Sequence, residues 1–243
     1  MESTTYIALS RQMALRRELD ITAHNVANMT TPAFKAERMV FREYLVNQDG
    51  VKGEDLSFTQ DIGLARDLQD GSMLETGNPF DLAISGEGFF SVETEDGVRY
   101  TRHGRFQLDA ANQLVTGEGY PVLAFNGART IIPTDSGKIE IAADGTISSP
   151  DGVLGKVGIV TFDNLQEMDR LPNSLYETEQ RAQLVDRPSL RQGMLEQSNV
   201  QPIMELTRLI DIQREHQSVQ NLIKREHDRQ QKAIDRIARP MQS

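Results

Sequence analysis

Apolar side chains along the first 28 residues fall on more than one helical stripe. Tyr6, Leu9 and Met13 share one stripe, Leu15, Leu19 and Val26 share another, and Ile7, Ala14 and Ile21 recur at heptad spacing. The pattern predicts a helix over about 5–28, with apolar cover broad enough for contact on more than one side. Thr31 precedes Pro32 and is pushed out of the α region, so the helix must end near 28–30. The amides of Asn25 and Asn28 can satisfy backbone groups freed at that end. A second helix is predicted over about 199–239, carrying Leu206, Leu209, Ile210, Gln213 and Ile223. Ser198 and Gln201 fit a capping box at its start, and Pro202 falls in its first turn.

At about 1.5 Å per residue these helices would be roughly 35 Å and 60 Å long. A compact domain needs no helix of the second length. Two helices at opposite ends of the chain can pair as an antiparallel, coiled-coil-like stalk with the middle inserted between them. One neighbour covers only one seam of such a helix, so its remaining apolar residues point to a subunit interface. The candidates are Tyr6, Leu9, Met13, Leu15, Leu19, Val26, Leu206, Leu209, Ile210, Gln213 and Ile223.

The middle alternates differently. "DLAIS", "GFFSVE", "VRYTR", "RFQLD", "QLVT", "YPVLAF" and "GKVGIVTF" are short strand candidates separated by turn signals such as Asp144-Gly145 and Asp151-Gly152. Their spacing predicts an antiparallel sandwich or barrel-like domain. Glycine agrees: all 18 fall between Gly50 and Gly193, which leaves both ends free of the residue least suited to helices. The fold class is therefore α+β, divided as 1–29 helix, 30–75 extended connector, 76–197 β-rich domain and 198–243 helix.

Charge divides the same way. Of the net −10, residues 1–28 contribute nothing and 199–243 contribute +2, so the middle carries −12. Near-neutral ends can pack against copies of themselves with little repulsion. The acidic balance argues against nucleic acid as a partner. No run approaches the roughly 18–20 apolar residues of a membrane span, so a membrane-spanning role is not expected. The first twenty residues show no apolar segment of a cleavable signal. The expectation is a cytosolic protein, or one that leaves by a route reading no such signal.

Candidate chemistry is sparse. There is no cysteine, which excludes disulfides, thiolate catalysis and Cys-ligated zinc. Gly86-Glu87-Gly88 lacks the third glycine of a dinucleotide loop and reads as a tight turn. His24, His103, His216 and His227 show no ligand spacing. Asp135, Asp144 and Asp151 sit near glycines without calcium-loop spacing and read as turn carboxylates. No cofactor, metal or catalytic residue is predicted, although paired carboxylates are invisible in sequence, so an enzyme stays open.

Several ordered motifs resemble the flagellar axial proteins, the rod, hook and hook-associated subunits. Ala-His-Asn-Val-Ala-Asn at 23–28 is similar to the family's Ala-Asn-Asn-(Ile/Leu)-Ala-Asn box, with His24 replacing an Asn. Thr-Thr-Pro-Ala-Phe-Lys at 30–35 is similar to its continuation, with Ala33 in place of Gly. The Gly-x-Gly-Phe-Phe, Tyr-Thr-Arg-x-Gly-x-Phe and Leu-Val-Thr pieces follow in order within 76–123, and 144–162 resembles the segment after them. Met-Leu-Glu-Gln-Ser-Asn-Val at 194–200 and Leu209-Ile210-x-x-Gln213-Arg214 resemble the C-terminal signature, with His216 where an aromatic residue is usual.

The resemblance implies helices that line an axial tube and a hinge marked by Asn25, Asn28, Pro32 and Phe34 that turns the chain outward to the β domain. It implies a structural rod subunit, not an enzyme, transmitting torque and enclosing an export channel. The partners implied are copies of itself, other rod proteins and the flagellar type III export apparatus. The implied location is the basal-body rod, crossing the periplasm. Within that family, the absence of a second β-domain insertion argues against the hook subunit, the middle-domain signature argues against the smallest rod subunits, and a short connector favours the proximal-rod type over the distal-rod type. A stalked β-domain adhesin or binding module is the alternative from a different class.

Overall fold

A computed structural model describes residues 2–46, 56–133 and 137–238. Two helices occupy the ends and antiparallel strands fill the middle, so the class is α+β. The chain divides into two compact units. Unit 1 comprises Met1–Ala27, Glu37–Arg66 and Gln201–Ser243, and unit 2 comprises Asn28–Ala36 and Asp67–Val200.

Unit 1 is built from helix α1 (Glu2–Ala27), helix α2 (Pro202–Ala238) and a ribbon of β1 (Glu37–Val46) against β2 (Leu56–Arg66). The ribbon lies within 30–75, the segment expected as an extended connector. Its register shifts between Val40 and Phe41, where Val40 faces Gly63 and Phe41 faces Asp61. The helices run antiparallel: Arg11 pairs with Glu215, and Arg208 donates to Glu18 at 2.8 Å. Ala8, Leu15 and Ile212 are buried.

The start of α2 corrects the sequence reading. The helix begins at Pro202, and Ser198 does not cap it; its hydroxyl accepts from the N–H of Val200 at 3.2 Å. Proline is well suited to the first helical position, where its missing N–H costs nothing. Asn199 is held outside the helix by longer-range bonds, described below.

Unit 2 contains β3 (Met73–Glu75), β4 (Leu82–Ile84), β5 (Phe89–Thr94), β6 (Gly97–Thr101), β7 (Phe106–Leu108), β8 (Leu114–Thr116), β9 (Glu140–Ile141), β10 (Thr146–Ser149) and β11 (Gly152–Lys156). It continues with β12 (Ile159–Thr161), β13 (Asp169–Arg170), β14 (Leu175–Glu177), β15 (Gln183–Leu184), β16 (Leu190–Gln192) and β17 (Met194–Glu196). The largest sheet has the order β13-β14-β6-β5-β12-β15, and β16–β4, β17–β3 and β7–β8 form pairs. "YPVLAF" was expected as a strand but makes only isolated bridges, from Pro121 to Val115, Val122 to Val92, Leu123 to Arg129 and Ala124 to Val157. "GKVGIVTF" is broken in two at Val157-Gly158. A Cβ on Gly158 would lie 2.9 Å from the Ala124 carbonyl oxygen, so backbone approaches backbone where the strand breaks.

Successive side chains on a strand point to opposite faces, and the paired phenylalanines of β5 use both. Phe90 packs edge-on against Phe106 at 5.0 Å in a core with Leu82, Ile84, Leu114 and Val122. Phe89 faces the other way, against Phe162, Met168 and Tyr176. Gly104 is required by contact: a Cβ there would sit 1.6 Å from the Leu82 carbonyl oxygen, while the Gly104 carbonyl accepts from the Leu82 N–H.

Candidate assembly surface and hinge

In unit 1 the apolar helix residues separate into a packed set and an uncovered set. Leu15 is buried and Leu19, Val26, Leu209 and Ile223 are half-buried. Tyr6, Leu9, Met13, Leu206 and Ile210 are exposed, and so is Gln213. Ile203 and Met204, which the sequence reading did not single out, are exposed as well, at 80% and 65%. Solvent-facing Ile and Met in the first turn of α2 are the signal that could have found them. None of the described helices is long and apolar enough to cross a membrane.

The bonds of the Asn25 amide go to β1 and α2 rather than to the end of α1. Asn25, buried in unit 1, donates its amide to the Glu37 carbonyl at 2.8 Å and accepts the Glu37 N–H at 3.0 Å. The side chain thereby takes both backbone groups of the first residue of β1, as a neighbouring strand would. The same amide donates to the carboxylate of Glu205, also buried, at 3.4 Å. One side chain thus joins α1, β1 and α2. Asn28 belongs to unit 2. Its carbonyl accepts the Thr31 N–H at 3.1 Å and its side-chain oxygen accepts the Thr31 hydroxyl at 3.2 Å. Pro32 is half-buried, and Phe34 is fully buried beneath the Arg170 guanidinium, 4.1 Å from the ring centroid.

Unit 2 also holds a cluster that the sequence reading missed. The ammonium of Lys35, 3% exposed, donates to Glu196 Oε1 at 2.7 Å and to the Gln69 carbonyl at 2.6 Å. The carboxylate of Glu196, 1% exposed, accepts Arg102 Nε at 3.0 Å through its other oxygen. Arg102 also donates to Asp70 at 2.9 Å and to the carbonyls of Gly86 and Gly88 at 2.9 and 3.1 Å. The Gly86-Glu87-Gly88 turn therefore presents carbonyls to an arginine. Two cations meet two anions, and most of their remaining polar capacity is taken by backbone groups, which is what makes buried charge tolerable.

Asn199 adds further ties to this segment. Its oxygen accepts the Ala36 N–H at 2.7 Å, its amide donates to the carbonyls of Asp67 and Gln69 at 2.9 and 3.0 Å, and its own N–H donates to the Phe34 carbonyl at 3.2 Å. Three passes of chain are tied by one residue. Lys35, Arg102, Glu196 and Asn199 all lie inside motifs legible in the sequence. A lone charge flanked by buried residues, as in Phe34-Lys35-Ala36 and Leu195-Glu196, is the available signal.

The β-domain carboxylates close turns. Asp109 accepts the N–H groups of Ala111 and Gln113, each at 2.8 Å. Asp144 is held below the usual carboxylate range by the N–H of Thr146, then by the Thr146 hydroxyl and Lys156. Asp135 lies outside the described residues. His103 is pushed below the usual imidazole range by burial.

Long terminal helices with uncovered apolar side chains, in a chain that also carries a β-rich unit, suit a subunit that assembles. The comparisons give that class its family. Residues 6–35 match the model of the flagella basal body rod protein, 83–149 that of the flagellar hook protein FlgE/F/G D1 domain, and 191–236 that of the flagellar basal body rod FlgEFG protein C-terminal region. The chain is 39% identical to the flagellar basal-body rod protein FlgF of Caulobacter vibrioides, covering 98% of this chain and 99% of that one. It is 36% identical to FlgF of Mesorhizobium japonicum, covering 96% and 97%, and 33% identical to FlgG of Bacillus subtilis, covering 92% and 94%. The chain belongs to the flagellar basal-body rod protein family and is a structural component of the basal body, with FlgF better supported than FlgG as its nearer kin. Each of the three matched regions supplies one residue of the buried cluster: Lys35, Arg102 and Glu196.

Proposed function

We propose that the chain is a subunit of the proximal rod whose terminal helices, α1 and α2, pair in coiled-coil fashion and pack against helices of neighbouring subunits. The neighbours are copies of itself and other rod proteins. A heterologous contact whose rotation does not close builds a helical shaft, and such a shaft transmits torque around an export channel. The residues between, 76–197, fold as a barrel-like or sandwich-like body. The subunit reaches its place through the flagellar type III export apparatus without a cleaved signal, and it is neither an enzyme nor a cofactor protein.

The observation that carries this reading is the uncovered apolar set on α1 and α2: Tyr6, Leu9, Met13, Leu206 and Ile210, joined by Ile203 and Met204. Exposed apolar surface of this extent marks an interaction face. Ile210→Glu tests it. Ile210 is 49% exposed in the free subunit, so the change should alter that subunit's stability by no more than about 0.5 kcal/mol. At a subunit seam the same charge is buried without a partner, at a cost of several kcal/mol in every copy. Swimming-halo diameter should collapse while immunoblots show normal subunit levels. Asp109→Asn and Asp144→Asn, which alter only turns, should swim. Full swimming by Ile210→Glu, or paralysis by a well-expressed turn variant, overturns the reading.

A further inference from the structure

Residues 28–36 belong to unit 2 although the chain on either side of them, 1–27 and 37–66, belongs to unit 1. The segment is short, has no strand of its own, and is laid onto a body formed by 67–200. Its backbone attachments are few. The Ala33 N–H donates to the Glu196 carbonyl at 2.8 Å, the Phe34 carbonyl accepts from Asn199, and Ala36 exchanges bonds with Asn199 and Asp67. Ala33 adopts φ +57, a left-handed backbone that alanine enters at a cost. The segment therefore carries strain, and something must outweigh it.

We infer that the Lys35–Glu196 pair is a latch: it fastens residues 28–36 to the β body as a strap, and its charge balance decides whether the strap is closed. Four groups are coupled. Lys35 meets Glu196, Glu196 meets Arg102, Arg102 meets Asp70, and Lys35 stands 3.6 Å from Asp70. The sum is neutral. Removing Lys35 alone leaves the cluster, in which only Asp70 reaches solvent, with an excess of one negative charge, and removing the charge of Glu196 alone leaves an excess of one positive charge. Either state is relieved by lifting the strap, which lets water reach the cluster. Removing both leaves Arg102 against Asp70, a neutral pair already in contact. The latch thus differs from a set of independent contacts in one measurable way: the two losses must compensate rather than add.

The β core does not depend on the latch. Leu82, Phe90, Leu114 and Val122 pack together without any residue of 28–36, and the N–H groups of Leu114 and Val122 are bonded within the core. Opening of the strap is therefore a local event, below the free energy of unfolding the unit.

Hydrogen exchange on the full-length chain reads this directly, with Lys35→Met, Glu196→Gln and the double variant compared with the parent. Each single change should speed exchange across 33–36 and at Asn199 by roughly 30-fold or more, the scale expected for a broken buried pair. Exchange at Leu114 and Val122 should stay within about threefold of the parent, as for a local opening. The double variant should recover most of the lost protection across 33–36. Unchanged exchange in the single variants overturns the latch. So does a strictly additive double variant. Equal acceleration in strap and core, or failure of the single variants to fold, would make the pair a support of the whole unit and would equally overturn it.

Discussion

Unit 1 and unit 2 solve opposite problems. Unit 2 carries 11 basic and 21 acidic side chains and so holds the whole net charge of −10, whereas unit 1 carries 15 of each. Unit 2 buries its large side chains in two clusters on either side of β5 and in a third around Phe34. Unit 1 leaves Ile and Met in the first turn of its longer helix facing solvent. A net-charged body repels its copies and stays soluble, while neutral helices with apolar stripes lack that repulsion and gain from company. The difference between the units is thus written in charge and in the exposed first turn of α2.

The largest effect that could break this contrast is a pair of truncations in the free subunit. Phe90→Ala should cost about 3–5 kcal/mol by removing a fully buried ring, and Ile203→Ser should shift stability by no more than about 0.5 kcal/mol. Urea titration followed by circular dichroism compares them. Comparable losses would mean that unit 1 is as complete as unit 2, and the asymmetry would be gone.

A smaller effect sharpens the account of the hinge. Ala33→Gly removes the left-handed strain, roughly 1–2 kcal/mol, but loosens the unfolded chain by about 0.4–1 kcal/mol. The net is a stabilisation on the order of 0.5–1 kcal/mol, seen as a higher urea midpoint. A lower midpoint would show that the alanine methyl, buried in this structure, contributes more by packing than it costs in strain.

The smallest effect is a pH dependence confined to unit 2. Burial holds the His103 imidazole below its ordinary value of 6.5, so the unfolded chain takes up its proton first on acidification. This contribution to stability is complete above about pH 6.5 and is lost as pH falls below it, towards the depressed folded value. His103→Gln should flatten the stability profile between about pH 7 and 5. An unaltered slope would assign the dependence to other groups.

The sequence made much of this legible, unevenly. Helices α1 and α2 were readable because their apolar residues repeat every three to four positions and glycine is absent. Strands with a bulky apolar core, such as β5, were readable from alternation. β9 and β13 were not, because two-residue strands carry no period. "YPVLAF" misled because its bonds go to several partners rather than to one ladder. The segment from Asn25 to Phe34 showed itself as a motif, but its long-range bonds did not. Asn25 was read as a cap, a local role, yet its partners are Glu37 and Glu205. Ser198 was read as a cap for the same reason. Local rules find local bonds, and Lys35 meets Glu196 across 161 positions.

The place of Asn199 has a mechanical consequence. Its side chain receives the N–H of Ala36, 163 positions away in sequence, and its own N–H reaches the Phe34 carbonyl. A pull entering the chain at residue 36 and leaving at 199 has a direct route across those two bonds, and the residues between lie on a detour. The β core of unit 2 is then a side branch of the load path. It is spared the stress that the hinge carries, much as a tab welded to a cable feels none of the tension in the line.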